Sequence, residues 1–142
     1  MIMVVPSRGG RIGRFVARQG MRAIVARRHR EGLGASLAAG LKALRPIERE
    51  VLIFLGDMPF AEAPRGMRLA VGDEAVRPVY RGEPGHPMMV RAGAARSAKI
   101  SGDQGLAGKL RVTMVRGGAG NLIDVDTMVA LRRARRCGSQ SS

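Results

Sequence analysis

The sequence predicts an α/β fold, and three observations carry that prediction. Residues 51–60, VLIFLGDMPF, run five apolar residues into Gly56, Asp57 and Pro59. That pattern reads as a central parallel strand, covered on both faces and stopped by turn residues. Residues 21–26 read as a second short strand, followed by Gly32-Leu33-Gly34 and the segment ASLAAGLKALR, in which Leu37, Leu41 and Leu44 share one helical face. Residues 76–80, 87–90, 111–115 and 121–125 add further strand candidates, and residues 127–136 a closing helix.

The chain starts with the apolar pentapeptide MIMVV and then PSRGGRIGRFVARQG, which is rich in Gly and Arg with no sustained period. Residues 1–20 are therefore expected to form an irregular arm. Ser36 and Pro46 bracket the first helix. Gly40 inside it costs about 1 kcal/mol relative to Ala, so it either admits a close neighbour or weakens the element. Residues 62–72 are too interrupted by Pro and Gly for a long helix. The turn RGEPGH separates two short strands, and SGDQGLAGKL gives a turn or a short helix. At 142 residues the chain suits a single domain spanning 1–142.

Composition narrows the function. Lys and Arg total 25 against 11 Asp and Glu, for a formal charge of +14. This favours anionic partners, whether nucleotide phosphates, RNA or acidic surfaces, although an Arg-rich composition alone gives the same count. With three Phe, one Tyr and no Trp, the chain is poorly equipped to stack unpaired bases, so nucleic acid is not favoured. The arginines at 132, 133, 135 and 136 suit the C-terminal end of the closing helix, where cations complement the helix dipole. Cys137 is the single cysteine, which excludes an internal disulfide or cysteine cluster and points to a reducing cytoplasm. No apolar run is long enough to cross a bilayer, so no membrane partner is expected.

The candidate chemistry rests on carboxylates. Asp57 stands at the carboxyl end of its strand, where open α/β sheets collect ligands, and either holds a divalent metal against phosphates or caps a turn. Asp124 and Asp126, in LIDVDT, project to one side of a strand. One of them can join Asp57 in holding magnesium, while Asp126 or Thr127 is also suited to cap the last helix. Gly32, Gly34 and Ser36 offer backbone and a helix N-terminus for anion or ribose contacts. His86, in PGHP, is a lone histidine in a Pro-rich turn with no partner nearby in sequence.

Taken in order, EGLGASLAAGL at 31–41, VLIFLGDMPF at 51–60, RPVYRGEPGHPMMV at 77–90, GDQG at 102–105 and LIDVDT at 122–127 resemble the molybdenum cofactor cytidylyltransferase family, over residues 22–136. The resemblance implies a three-layer α/β/α, Rossmann-like nucleotidyltransferase sheet. It implies transfer of CMP from CTP to a molybdopterin-type molybdenum cofactor, with release of pyrophosphate. By the same resemblance Asp57 and Asp126 hold Mg2+, and Gly32, Gly34 and Ser36 lie near the nucleotide. Gly85, His86, Pro87, Gly102 and Asp103 shape the acceptor side; a molybdoenzyme is a further candidate partner.

The family's opening segment, of the type LAAGxSxRMGxxK, has only a faint echo here in PSRGGRIGRF. The expected sheet therefore lacks the first strand and its glycine-rich loop, as in an N-terminally truncated member with impaired turnover. An edge exposed in that way favours a homodimer. DTMVAL also replaces the family's DTPEDL, losing a helix-opening Pro. The alternative is a non-catalytic basic protein that binds a molybdoenzyme assembly partner or RNA.

Overall fold

The computed structural model describes residues 1–100, 105–127 and 130–132. They divide into two compact units, Met1–Val51 with Arg91–Arg111, and Leu52–Val90 with Val112–Ser142.

The first unit opens with strand β1, Ile2–Val5, helix α1, Arg11–Arg18, and strand β2, Arg22–Val25. β1 and β2 pair in parallel, from Ile2 opposite Arg22 to Val5 opposite Val25. The irregular arm expected over residues 1–20 is thus a strand, a loop and a helix. Gly and Arg obscured the helix because only Gly13 and Val16 of its eight residues are buried. Gly13 acts here as a packing residue rather than a breaker: a Cβ at this position would collide with the carbonyl oxygens of Ser7 and Arg8, so the loop passes directly over the helix.

A 3-10 turn at His29–Glu31 leads into helix α2, Leu33–Lys42. Gly32 precedes it with φ of 107°, a conformation that favours glycine. Leu41 is buried and Leu37 and Leu44 half-buried, as their shared face predicts. Gly40 does admit a close neighbour, since a Cβ there would lie 3.0 Å from Val4 Cγ2 on β1. Helix α3, Ala92–Ser97, packs on α2. The Arg96 Nη2 donates to Leu44 O at 3.0 Å and the Arg22 guanidinium donates to Ala43 O, so two arginines satisfy carbonyls at the end of α2.

The remaining strands form one mixed sheet: β3, Glu50–Ile53; β4, Ala75–Tyr80; β5, Glu83–Pro84; β6, Met88–Arg91; and β7, Val112–Arg116. Their order is β3-β6-β4-β5, with β7 also on β4. β4 is antiparallel to β5 and β6 and parallel to β7. It is the hub of the sheet, and its Ala75, Val76 and Pro78 are buried. Arg81 and Gly82, both at positive φ, make the β4–β5 turn.

Two expectations are corrected here. β3 was expected to be central, but it stands at the end of the hydrogen-bonded path and is half-buried, with Phe54 beyond it 50% exposed. An apolar run carries no information on which strands flank it. Residues 121–125 do not form a strand. A 3-10 turn at Ala119–Asn121 is followed by chain outside any ladder, because Asn121 spends its polar groups on neighbouring loops. Among the described residues, no helix is long and apolar enough to cross a membrane.

Candidate functional site

Within the second unit, the chain after β3 turns at Gly56 and Asp57, with Met58 buried as its anchor and its N–H bonded to Leu55 O at 3.3 Å. The Val125 N–H donates to Asp57 O at 2.7 Å. This single bond brings the LIDVDT segment beside the Asp57 turn. Gly56, Asp57, Pro59, Val125, Asp126, Thr127 and Leu131 then line one open recess of about 420 Å3. Asp57 and Asp126, distant in sequence, are both exposed and face the same space.

The two roles weighed for residues 126 and 127 separate cleanly. Thr127 Oγ1 accepts from the Ala130 N–H at 3.0 Å, and Thr127 O accepts from the Leu131 N–H at 2.9 Å. Thr127 is therefore the helix cap, and the Asp126 carboxylate is left to line the recess. Two hard carboxylates on an open, water-accessible recess fit Mg2+, which keeps several waters and takes only one or two protein oxygens beside phosphate. No group of three or more His, Cys, Asp or Glu suited to a metal occurs among the described residues. Asp124 is exposed but does not line the recess.

The PGHP turn lies in the same unit. Gly85 and Pro87 are buried, and the His86–Pro87 peptide is cis. A Cβ on Gly85 would collide with Asn121 O, so only glycine allows that approach. Arg77 supports the turn from β4, donating from Nε to Gly85 O at 3.0 Å and from Nη2 to Pro84 O at 3.1 Å. The buried His86 Nδ1 has no hydrogen-bond partner among the described residues. Burial holds the His86 pKa below its usual 6.5, and the Arg77 charge adds to that. A hydrogen bond with the Ile53 backbone and the Asp57 charge act in the opposite direction. A neutral imidazole with one unused ring nitrogen is thus held within the electrostatic reach of Asp57.

Gly32, Gly34 and Ser36 belong to the first unit, at the start of α2. Gly32 is the capping position, Gly34 is buried in the first turn, and no side chain caps the helix, which leaves backbone N–H groups to serve an anion. Glu31 pairs with Arg28 at 2.6 Å. Gly102 and Asp103 lie outside the described residues.

Sequence reasoning missed Asn121. It is 5% exposed and donates from Nδ2 to Glu62 O at 2.7 Å and to His86 O at 2.6 Å. Its Oδ1 accepts from the Gly118 N–H at 2.8 Å, and its backbone O accepts from the His86 N–H at 2.9 Å. A lone Asn after GGAG signals only a turn, and nothing in its spacing points to residues 62 and 86.

The comparisons with known proteins agree with this architecture. The sequence model of the MobA-like NTP transferase domain matches residues 1–116, so the match begins earlier than the 22–136 span of the quoted motifs. No curated protein matches the chain significantly. Among solved structures, the fold is similar to the crystal structure of the Mycobacterium tuberculosis rv0371c homologue from Mycobacterium sp. strain JC1. The TM-score is 0.66 at 22% identity, over 99% of this chain and 76% of that one. The matched residues include β1 through β7, the Asp57 turn and the PGHP turn, and on this match the chain belongs to the MobA-like NTP transferase domain family.

Proposed function

We propose that this nucleotidyltransferase-family chain uses its carboxylate recess for magnesium-dependent binding of CTP and transfer of CMP to a molybdopterin-type cofactor. The observation that carries the reading is the convergence of Asp57 and Asp126 on one open recess, with Thr127 taking the capping role. The choice of CTP and of the acceptor rests on the resemblance of residues 31–41, 77–90 and 122–127 to the cytidylyltransferases.

In this reading a phosphate oxygen of the acceptor attacks the α-phosphorus of CTP. The new P–O bond forms as the bond to pyrophosphate breaks, and the pyrophosphate leaves with the electron pair. An ionised phosphate needs no strong base, so the residues act by positioning and by charge. Asp57 and Asp126 would hold Mg2+, which supplies neutralisation of phosphate charge. Burial disfavours the charged form of the half-buried His86, whose unpartnered Nδ1 is itself enclosed, so this side chain shapes the acceptor side through packing and adds no charge of its own. The Gly85–Pro87 turn, braced by the Arg77 hydrogen bonds to Gly85 O and Pro84 O, fixes where the ring sits.

Calorimetric titration with CTP, GTP and ATP, with and without Mg2+, tests the proposal. Saturable CTP binding that requires Mg2+ and weakens in Asp57→Asn is the expected result. Equal CTP affinity with and without Mg2+ would refute it.

One observation favours a second reading, a non-catalytic basic protein that docks to RNA or a molybdoenzyme partner. Arg8, Arg11, Arg14, Arg18, Arg22, Arg27, Arg28 and Arg30 all precede the first acidic residue, Glu31. RNA affinity should then fall steeply with salt, in proportion to the phosphates neutralised. Salt-insensitive or absent RNA binding removes that version.

A further inference from the structure

We propose that Asn121 is the positioning residue of the carboxylate recess, setting the Asp57 turn and the Asp126 segment in mutual register through one buried amide. The inference rests on the reading of Asp57 and Asp126 as a metal–nucleotide site and names what holds that site in shape.

Three separate stretches meet at this side chain. The Nδ2 bond to Glu62 O fixes the chain leaving the Asp57 turn, the Nδ2 bond to His86 O fixes the PGHP turn, and Oδ1 closes the residue's own turn at Gly118. All the hydrogen-bonding capacity of the Nδ2 amide is committed, and the residue is 5% exposed, so no water can stand in for a lost partner.

The packing around it leaves little freedom. A Cβ on Gly120 would collide with Phe60 O, and one on Gly117 would lie 2.8 Å from Asn121 Oδ1. Backbone therefore lies on backbone at Gly120 against Phe60 and at Gly85 against Asn121, and the chain emerges four residues after Asn121 at the Val125 N–H to Asp57 O bond, at 2.7 Å. Groups that orient a metal's ligands without touching the metal typically change its affinity by about 10–100-fold.

The test compares Asn121→Asp, Val76→Ala and the parent chain. Asn121→Asp keeps the shape but removes both donors and sets a carboxylate against two carbonyls. Val76, 1% exposed in β4, provides a core lesion away from the recess. Melting curves locate a temperature at which all three are folded. There, binding of the Mn2+–CTP complex is measured calorimetrically, and amide hydrogen exchange is followed at His86 and Val125.

The expected result is about 10–100-fold weaker Mn2+–CTP binding in Asn121→Asp, with faster exchange selectively at His86 and Val125. Val76→Ala should bind as the parent does. Unchanged affinity in folded Asn121→Asp overturns the proposal, and so does an equal loss in both variants, which would mark general destabilisation. If the parent itself binds no metal–nucleotide complex, the functional reading fails, and exchange alone decides. Selective deprotection of His86 and Val125 then supports the positioning role, and unchanged protection overturns it.

Discussion

The start of α2 and the Asp57–Asp126 recess are both candidate ligand sites, yet they are built from opposite materials. At α2 the available groups are backbone N–H donors after Gly32, with no side-chain cap and with the one nearby acid, Glu31, paired to Arg28. In the recess the available groups are side-chain carboxylates, and the backbone beneath them is bonded away through Asn121 and Val125. The first suits anions and the second suits cations. The difference teaches that the groups left over after local hydrogen bonding set the sign of the ligand. The net charge of the chain does not: the carboxylate recess belongs to a protein carrying +14.

The sharpest way to break the comparison is Asp57→Asn. Mg2+-dependent CTP affinity should fall by at least the 10–100-fold that follows loss of a metal ligand's support. Melting should change by no more than about 0.5 kcal/mol, because the side chain is exposed. Calorimetry beside a melting curve reads both.

Next in size is the close approach under the recess. Gly120→Ala drives a Cβ into Phe60 O and should destabilise the chain by about 1–3 kcal/mol. Gly118→Ala, with φ of −120° and open space around it, should be neutral or stabilise by up to about 1 kcal/mol. Urea denaturation of the pair checks whether packing, rather than glycine as such, is what matters.

In the first unit, Arg96→Ala removes the hydrogen bond to Leu44 O at the end of α2 and should cost about 1 kcal/mol by the same measurement, leaving Mg2+–CTP affinity unchanged.

The smallest effect is one of pH. Burial lowers the His86 pKa, so between the unfolded value near 6.5 and the lower folded value the unfolded chain binds a proton that the native chain does not. Stability should therefore fall as the pH drops through that window and stay level with respect to this group above it. His86→Gln should flatten the slope in denaturation curves taken across that range.

Much of this was legible before the structure. The Asp57 turn, the PGHP turn and the helix at α2 each announce themselves through residue types whose local physics is strong: a Gly-Asp-x-Pro break, a Pro-flanked histidine, and leucines on one helical face. Three features were not legible, for distinct reasons. α1 was concealed because Gly13 is a contact residue under the Ser7 loop and not a breaker. The end position of β3 was concealed because periodicity encodes which face is buried and not which strand is adjacent. Asn121 was concealed because its partners, Glu62 and His86, share no spacing with it. The carboxylates themselves could be read as candidates, but which of residues 126 and 127 capped the helix required the Thr127 Oγ1 bond to decide.

The Asn121 bonds span 59 and 35 residues of chain. Contacts of such range require large loops to close before they return any stabilisation, and they are late to form when a domain folds. During synthesis, moreover, the second carboxylate of the recess does not exist until residue 126 has been added. A ribosome-bound fragment that has already completed β1 through β7 still has no recess to offer, so any ligand of the recess would discriminate chains that have reached residue 131 from those that have not.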